Sequence, residues 1–223
     1  DEIYAFAKRY SLRVVEDAAH AFGTKYQGKK VGGFGDISCF SFDGIKNITS
    51  GEGGCIVTDD EELYHVLLSL RAHGWTRNLP TINHVCDKTN SDPFMETFRF
   101  VLPGYNVRPL ELEGAIGIEQ LKKLPEFVRQ RQKNGRQFQD AMIGHPDFII
   151  QKEIGVSSWF GFSLVIRQNS QLTRPELIDQ LTTLGFESRP IVAGNFAESE
   201  VMKFFDSEIP FKLVNADYIH SNG

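Results

Sequence analysis

The sequence lacks long apolar runs, paired cysteines and an excess of basic residues, and each absence argues against a class of protein. No apolar stretch approaches the roughly 18 residues that a membrane-spanning helix needs. The formal net charge of -5 comes from interspersed charges of both signs, which argues against binding to nucleic acid. The three cysteines, Cys39, Cys55 and Cys86, have no paired spacing. The sequence therefore predicts a cytoplasmic protein with reduced thiols and without nucleic-acid or membrane partners.

Several motifs of catalysis and metal binding are also missing. Residues 23–29 have the spacing of a phosphate-binding loop, but Lys30 replaces the hydroxyl residue that would bind magnesium. The glycines at 32–35 precede a strand-like run instead of a helix, so they do not form a dinucleotide-binding fingerprint. Glu62 and His65 share a helical face, but no second pair accompanies them, which predicts no metal site. No Gly-x-Ser-x-Gly elbow of a hydrolase occurs.

The composition and the apolar periodicity are those of an ordinary folded chain. Hydrophobic residues make up 41% and charged residues 24% of the 223 residues. Strand-like runs alternate with helical patterns in the first part, which predicts an α/β large domain, assigned to residues 1–130. Later strand-like runs flank one helical pattern, which predicts a smaller α+β domain, assigned to residues 131–223. Both ends of the sequence read as cut, so we expect a fragment of a longer protein.

Capping residues predict where two of the helices begin. Asp59 or Asp60 precedes an apolar pattern of helical spacing and is the expected N-cap. Thr173 and Glu176 have the spacing of a capping box, which predicts a helix from Arg174 to Leu184.

Prolines and composition predict three further segments. Pro109 is expected to open a helix that runs to about Leu124, and a second helix is expected from Pro125 to about Gly144. Residues 75–98 are polar and irregular, which predicts a surface excursion. The run FESRPIV at 186–192 predicts a strand, with Arg189 near its end.

The most informative stretch is SFDGIKNITSGEGG, residues 41–54, which connects two strand-like runs. It carries one lysine, Lys46, followed by Gly51, Gly53 and Gly54, which allow the backbone to turn tightly. A lysine on such a connection is either a solvated loop residue or a reactive amine.

Three other polar residues are expected at the same edge of the sheet as Lys46. Asp17 ends a strand-like run, His20 follows three residues later, and Ser41 ends the next run. Taken singly, Asp17 could be a helix N-cap and His20 a packed or surface residue. Together the four supply a carboxylate, an imidazole, a hydroxyl and an amine, the groups that pyridoxal phosphate requires. The constellation therefore predicts a site for that cofactor.

Several separated motifs resemble one family in both sequence and spacing. VVEDAAHAFGTKYQGKKVGGFGDISCFSFDGIKNITSGEGGCIVTDDEEL is similar to the cofactor region of the DegT/DnrJ/EryC1/StrS family of pyridoxal-phosphate-dependent sugar aminotransferases. RAHGWTRN at 71–78 and PGYNVRPLELEGAIGIEQLKKL at 103–124 resemble its downstream segments. The resemblance covers most of residues 1–145. It implies the aspartate aminotransferase fold, fold type I, with a mixed sheet in the large domain, and a homodimer that shares its active sites.

The resemblance assigns a role to each matching residue. Lys46 matches the lysine that binds the cofactor as a Schiff base, and Asp17 the acid that pairs with the pyridine nitrogen. His20 stands where the family has Gln or His beside the ring and its phenolic oxygen. Ser41 matches a serine that binds the cofactor phosphate. Asn106 matches an asparagine that reaches the phosphate of the neighbouring subunit's cofactor.

The resemblance also leaves two reactions open. It implies transfer of an amino group, with glutamate as the expected donor, to a keto group of a nucleotide-linked 4-keto-6-deoxy sugar for surface polysaccharide. The segments ESRPIVAGNFAESEVMKFFD and NADYIHSNG are similar to the subgroup of nucleotide-sugar 3-dehydratases, which replace the lysine with histidine. Because Lys46 is retained, transamination is the expected reaction, and dehydration or a non-catalytic regulatory role are the alternatives. Arg189 is either a clamp for the donor carboxylate or part of a surface ion pair.

Overall fold

The computed structural model describes all residues from 1 to 223 and divides the chain into two units. The first unit contains residues 1–131 together with 154–160, and the second contains 132–153 and 161–223. The chain thus returns once to the first unit. The assignment of residues 1–130 and 131–223 to two domains stays a prediction for the complete protein.

The first unit combines short strands with helices of very different lengths. Its strands are β1 Val15–Asp17, β2 Lys25–Tyr26, β3 Lys29–Lys30, β4 Ile37–Ser41, β5 Gly54–Val57, β6 Ile82–Asn83 and β7 Asp87–Lys88. Its helices are α1 Glu2–Arg9, α2 Glu61–Leu70, α3 Pro93–Glu96 and the greater part of α4 Glu111–Met142.

A mixed three-stranded sheet of order β1-β4-β5 organises the first unit. β1 runs parallel to β4, with Asp17 opposite Cys39, and β5 runs antiparallel to β4, with Ser41 opposite Gly54. The apolar runs at 12–17, 35–42 and 53–59 read as three buried strands, but the two outer strands are largely exposed. Val15 on β1 is 62% exposed, and Ile56 on β5 is 53% exposed, because nothing in the chain covers these side chains on their faces of the sheet.

The N-cap prediction for α2 is confirmed, whereas the prediction for residues 75–98 is wrong in part. The Asp60 carboxylate accepts hydrogen bonds from the backbone N–H groups of Glu62 and Leu63, at 3.0 and 3.2 Å. Residues 75–98 contain the β6–β7 hairpin and α3, and Thr76 is only 1% exposed. The Trp75 ring, which stacks on its aromatic neighbours, donates its indole N–H to the Thr97 carbonyl at 3.0 Å. Most of the segment is exposed, as predicted, but Trp75, Thr76, Leu79 and Asn83 are buried in turns without helical or strand periodicity, so the sequence pattern does not reveal their burial.

Helix α4 contradicts the prediction of two helices that meet at Pro125. It continues through Pro125 and is 32 residues long in total. A proline inside a helix removes one backbone hydrogen bond and costs about 3 kcal/mol. Contacts just beyond it hold the helix in place, because Val128 packs where a Cβ on Gly23 would lie and Arg131 donates to the Trp159 carbonyl. Tertiary contacts therefore outweigh the local preference for a break.

The second unit consists of one hairpin, two helices and irregular segments. Its elements are β8 Phe148–Ile150, β9 Leu164–Ile166, α5 Arg174–Thr183, the 3-10 turns Phe196–Glu198 and Glu200–Phe204, and α6 Val214–Asn222. β8 and β9 pair antiparallel, and the Tyr218 hydroxyl on α6 donates to the Ile166 carbonyl at 2.6 Å. The predicted helix α5 is confirmed, with the Glu176 carboxylate accepting from the Thr173 backbone N–H at 2.9 Å.

Residues 186–192 do not form the predicted strand. The segment has no strand pairing, and Phe186 and Val192 are 62% and 83% exposed. Alternating side chains predict a strand only where a neighbouring strand can accept the backbone hydrogen bonds, and none lies alongside this segment. None of the helices in either unit combines the length and the apolar character needed to cross a membrane.

Candidate functional site

The parallel pairing of β1 and β4 places two of the candidate residues at one edge of the sheet. Asp17 is the last residue of β1 and Ser41 the last residue of β4. The Ala18 backbone N–H donates to the Cys39 carbonyl at 2.9 Å, which holds the chain after β1 against β4. The carboxyl ends of parallel strands are where open α/β sheets present ligand-binding groups.

Asp17 is exposed at this edge, and one of its oxygens supports the local turn. Its Oδ1 accepts the backbone N–H of Ala19 at 3.1 Å. Residues 18–22 form turns instead of a helix, so Asp17 is not the N-cap of a following helix. Its other oxygen has no hydrogen-bond partner in the chain, which leaves the carboxylate available to a ligand at the sheet edge.

The loop that carries Lys46 is held closed by its own backbone. The Phe42 N–H donates to the Gly53 carbonyl, and the Ser50 N–H donates to the Phe42 carbonyl, both at 2.9 Å. Gly51 and Gly53 have φ angles of +98° and +107°, which favour glycine. This explains the glycines after the lysine: the loop must turn back within a few residues to begin β5.

His20 and Lys46 are brought together, although 26 residues separate them in the chain. The Nζ atom of Lys46 lies 2.9 Å from Nε2 of His20, within hydrogen-bond distance. Lys46 is half-buried and also lies over the Phe160 ring, with Nζ 5.4 Å from the ring centroid. An amine and an imidazole at this distance can pass a proton between them, because the protonated amine donates an N–H that an unprotonated Nε2 accepts.

Ser41 and the lysine loop are close neighbours in the backbone. The Ser41 hydroxyl accepts the Asp43 N–H at 3.4 Å, and the Lys46 N–H donates to the Asp43 carbonyl at 3.0 Å. Asp17, His20, Ser41 and Lys46 thus belong to one sheet edge and the loop beside it.

Asn106 lies on a separate segment of the first unit. It is exposed and pairs through its backbone with Ala72, beyond the end of α2. The Tyr105 N–H donates to the Leu70 carbonyl at 2.7 Å, which fixes the segment there. No hydrogen bond or backbone bridge joins Asn106 to the His20–Lys46 pair, and its role at a neighbouring subunit's cofactor stays a prediction.

Arg189 lies in the second unit, on the irregular and exposed segment 186–192. The sequence-based placement of Arg189 at a strand end is wrong, because the segment lacks strand pairing. Its role as a carboxylate clamp stays a prediction.

A small cavity adjoins the lysine loop and helix α4. It has a volume of about 260 Å³, and its lining includes Lys46, Thr49, Phe127 and Arg131. Burial lowers the pKa of the Arg131 guanidinium, which has only backbone carbonyl acceptors, Trp159 O at 2.9 Å and Phe160 O at 3.4 Å. Arg131 therefore ties α4 to residues 159–160 instead of pairing with an acid.

Sequence reasoning missed the residues that pack against the lysine loop and against His20. Ser158 is fully buried, and its hydroxyl accepts the side-chain N–H of Asn47 at 2.8 Å and lies 2.9 Å from the Thr24 hydroxyl. The ring of Phe160 stacks on His20 with centroids 3.8 Å apart. These contacts join residues more than a hundred positions apart in the sequence, so no local sequence pattern predicts them.

The donor set fits pyridoxal phosphate. The cofactor needs an amine for its aldehyde, a carboxylate for its pyridine nitrogen and small donors for its phosphate and phenolic oxygens. Lys46, Asp17, Ser41 and His20 supply one of each at the same sheet edge. The chain contains no cluster of three or more Asp, Glu, His or Cys side chains placed closely enough to bind a metal ion.

Comparison with known proteins supports this interpretation. The chain is 50% identical over 224 residues to GDP-4-keto-6-deoxy-D-mannose 3-dehydratase of Yersinia pseudotuberculosis, covering 100% of this chain and 57% of that protein. The E. coli GDP-4-keto-6-deoxy-D-mannose-3-dehydratase with bound hydrated PLP matches with a TM-score of 0.95 at 48% identity, over 100% of this chain and 57% of that one. A further structure of GDP-4-keto-6-deoxymannose-3-dehydratase, with a trapped PLP-glutamate geminal diamine, matches with a TM-score of 0.96 at 49% identity. The match covers 100% of this chain and 58% of that one.

These matches confirm the predicted fold and cofactor class. The fold is that of the fold-type I enzymes, and the chain spans a little over half the length of the relatives it matches. The model of the DegT/DnrJ/EryC1/StrS aminotransferase family matches residues 1–223. By sequence over the whole chain and by fold, the chain belongs to this pyridoxal-phosphate-dependent family.

Proposed function

We propose that the complete protein removes the 3-hydroxyl group of a GDP-linked 4-keto-6-deoxy sugar, with pyridoxal phosphate as cofactor. The observation that carries the proposal is the 50% identity over the whole chain to a protein named for this reaction. This reverses the sequence-based preference for amino transfer, which depended on Lys46. Both reactions use the same cofactor and the same kind of amino donor, so one retained lysine does not decide between them.

Glutamate is the proposed source of the amino group and of the reducing equivalents. A PLP-glutamate adduct trapped in a similar protein supports this choice. In the dehydratase reaction, the sugar exchanges its 3-hydroxyl for hydrogen, while glutamate is oxidised to 2-oxoglutarate with release of ammonia. In amino transfer, the nitrogen stays on the sugar and no ammonia is released.

The residues of this chain would bind and orient the cofactor and move protons beside it. When bound, the cofactor supplies an electron sink for the reacting carbon. The Asp17 carboxylate would hold the protonated pyridine nitrogen, and the Ser41 hydroxyl would hold a phosphate oxygen. The Lys46 amine would accept a proton in its neutral form and return it in its protonated form, a role that both reactions need. Nε2 of His20, 2.9 Å away, holds the amine in place.

Amino transfer to the sugar is the second candidate, and Lys46 favours it. A primary amine can bind the cofactor aldehyde covalently and release it to an amino donor, which an imidazole cannot do. The resemblance described above leads us to expect histidine at this position in 3-dehydratases. The same sugar substrate, a role in surface polysaccharide synthesis and a cytoplasmic location are proposed for either reaction.

A homodimer with shared sites is proposed because Asn106 lies apart from Lys46 within the chain. Full-length Lys46→Ala and Asn106→Ala subunits should regain part of their activity when mixed, because hybrid dimers contain one intact site. Failure to regain activity after confirmed subunit exchange would contradict shared sites.

The deciding experiment uses the full-length protein with GDP-4-keto-6-deoxymannose, pyridoxal phosphate and glutamate. We expect a product lighter by one oxygen atom in mass spectrometry, with one ammonia released per 2-oxoglutarate. An amino sugar formed without ammonia would establish the second candidate. A Lys46→Ala variant as active as the parent protein would contradict both.

A further inference from the structure

The ring of Phe160 and the His20–Lys46 pair form one stacked arrangement. The His20 imidazole lies parallel to the Phe160 ring, with an interplanar angle of 3° and centroids 3.8 Å apart. Nζ of Lys46 lies 2.9 Å from His20 Nε2 and 5.4 Å from the Phe160 centroid. One aromatic face therefore contacts both the imidazole and the amine.

Phe160 reaches this position because residues 154–160 are anchored to the first unit. Lys25 and Val156 form an antiparallel bridge with hydrogen bonds of 2.9 and 2.8 Å. The Ser158 backbone N–H donates to the Thr24 hydroxyl at 3.0 Å, and Asn47 donates its side-chain N–H to the Ser158 hydroxyl at 2.8 Å. Since Asn47 directly follows Lys46, the same hydrogen bond links the lysine loop to the chain two residues before Phe160.

The stack on Phe160 gives the exposed His20 ring a defined neighbour. His20 lies in the turns after β1 and is exposed, and an exposed imidazole changes rotamer on a picosecond to nanosecond timescale. A parallel ring at stacking distance favours one ring plane, and aromatic pairs contribute roughly 0.5–1.5 kcal/mol beyond their buried area. In this stacked arrangement Nε2 of His20 lies 2.9 Å from the Lys46 amine.

We propose that Phe160 is a positioning residue for the proposed cofactor site. It holds the His20 ring so that Nε2 meets the Lys46 amine, and its face stabilises the amine when protonated. The inference rests on the proposed role of Lys46 but not on the choice between dehydration and amino transfer. It extends the site to a segment on which no candidate residue had been placed.

The test compares variants of the full-length protein at Phe160 and at a nearby phenylalanine. Phe160→Leu removes the aromatic face but keeps an apolar side chain, and Phe160→Tyr keeps the face. Phe162→Leu is the matched control, because Phe162 packs on Phe138 at 4.7 Å in the second unit. Circular dichroism and thermal unfolding confirm that each variant is folded before comparison.

The first readout is the NMR spectrum of isotope-labelled histidine in the cofactor-free protein. Protons above an aromatic face are shifted upfield, so we expect the His20 ring protons to be upfield in the parent protein, in Phe160→Tyr and in Phe162→Leu. Phe160→Leu should lose this shift. Unchanged His20 signals in Phe160→Leu would overturn the proposal, whatever the enzyme's reaction.

The second readout is the rate at which pyridoxal phosphate is captured at Lys46, followed by absorbance and by borohydride reduction with peptide mapping. We expect Phe160→Leu to slow capture roughly three- to tenfold, in line with the loss of one aromatic pair. Phe160→Tyr should restore the parent rate. Equal rates in Phe160→Leu and Phe162→Leu, or failure of Phe160→Tyr to restore the rate, would overturn the positioning role. Capture at another lysine would contradict the proposed function, while the histidine spectrum would still report on the stack.

Discussion

The lysine loop and the segment around Arg189 were both predicted to contribute to ligand binding, yet they are built in different ways. Residues 42–54 are closed by backbone hydrogen bonds, and Asn47 within them is only 4% exposed. Residues 186–192 have no strand pairing and are exposed except for the half-buried Ile191, and Val192 is 83% exposed. A reactive amine must be held in one position, because catalysis depends on small distances. The lysine loop meets this requirement, whereas the roles of both Lys46 and Arg189 stay predictions that activity measurements must test.

The largest expected effect is that of removing the amine from the ordered loop. In the full-length protein, Lys46→Ala should lower turnover by about 10²–10⁴-fold, the usual contribution of a proton-transferring group. Borohydride reduction of the parent protein with bound cofactor, followed by peptide mass mapping, should find the pyridoxyl group on Lys46. Lys25→Ala serves as the control and should behave as the parent. Labelling of Lys25, Lys29 or Lys30 instead would contradict the assignment.

The next effect concerns the carboxylate at the end of β1. Asp17→Asn keeps an oxygen that can accept the Ala19 N–H, so the turn should survive, as judged by circular dichroism. The variant cannot stabilise a protonated pyridine nitrogen by charge, and a hydrogen bond to a charged group contributes about 1.5–3 kcal/mol. We therefore expect turnover to fall at least about tenfold in steady-state kinetics. Unchanged turnover would show that Asp17 serves only the turn.

A stability measurement sharpens the contrast between the buried support and the exposed segment. Ser158→Ala deprives Asn47 and Thr24 of a buried partner and should lower the free energy of unfolding by about 1–3 kcal/mol. Ser188→Ala, in the exposed segment, should change it by less than about 0.5 kcal/mol. Urea unfolding of the full-length variants measures both values. Similar values for the two variants would remove the structural difference on which the comparison depends.

The smallest expected effect concerns Glu16, the neighbour of Asp17, and depends on pH. Burial acts to raise the pKa of Glu16, but hydrogen bonds from the backbone of Gly32, from the Tyr4 hydroxyl and from the Gly35 and Phe34 N–H groups outweigh it. Its pKa therefore lies below the ordinary value of 4.5. Burial and the bond to Glu16 raise the pKa of Tyr4 to about 12.

Because the pKa of Glu16 is lowered by folding, its contribution to stability is present above about pH 4.5 and is lost as the pH falls through the folded value. Glu16→Gln should destabilise the protein near neutral pH and flatten this part of the pH profile, as measured by thermal unfolding at a series of pH values. A profile with the same slope in both proteins would contradict the assignment.

Sequence patterns predicted well those features that depend on neighbours in the chain. The Asp60 cap of α2 and the Thr173–Glu176 pair of α5 are confirmed, because each is closed by hydrogen bonds within three residues. The strand ends that carry Asp17 and Ser41 were also found. Patterns failed where distant contacts compete with local preference: helix α4 continues through Pro125.

By itself, the sequence determined the family and the cofactor class, because contiguous motifs identify them. It also determined the loop that presents Lys46, because short-range hydrogen bonds close that loop. Only the tertiary structure decided that His20 faces Lys46 and that Phe160 lies against both. The hydrogen bond between Thr24 and Ser158 joins residues 134 positions apart, and such contacts form only when packing offsets the entropy of closing so long a loop. No local pattern encodes that balance, so the support of the site became visible only in the folded chain.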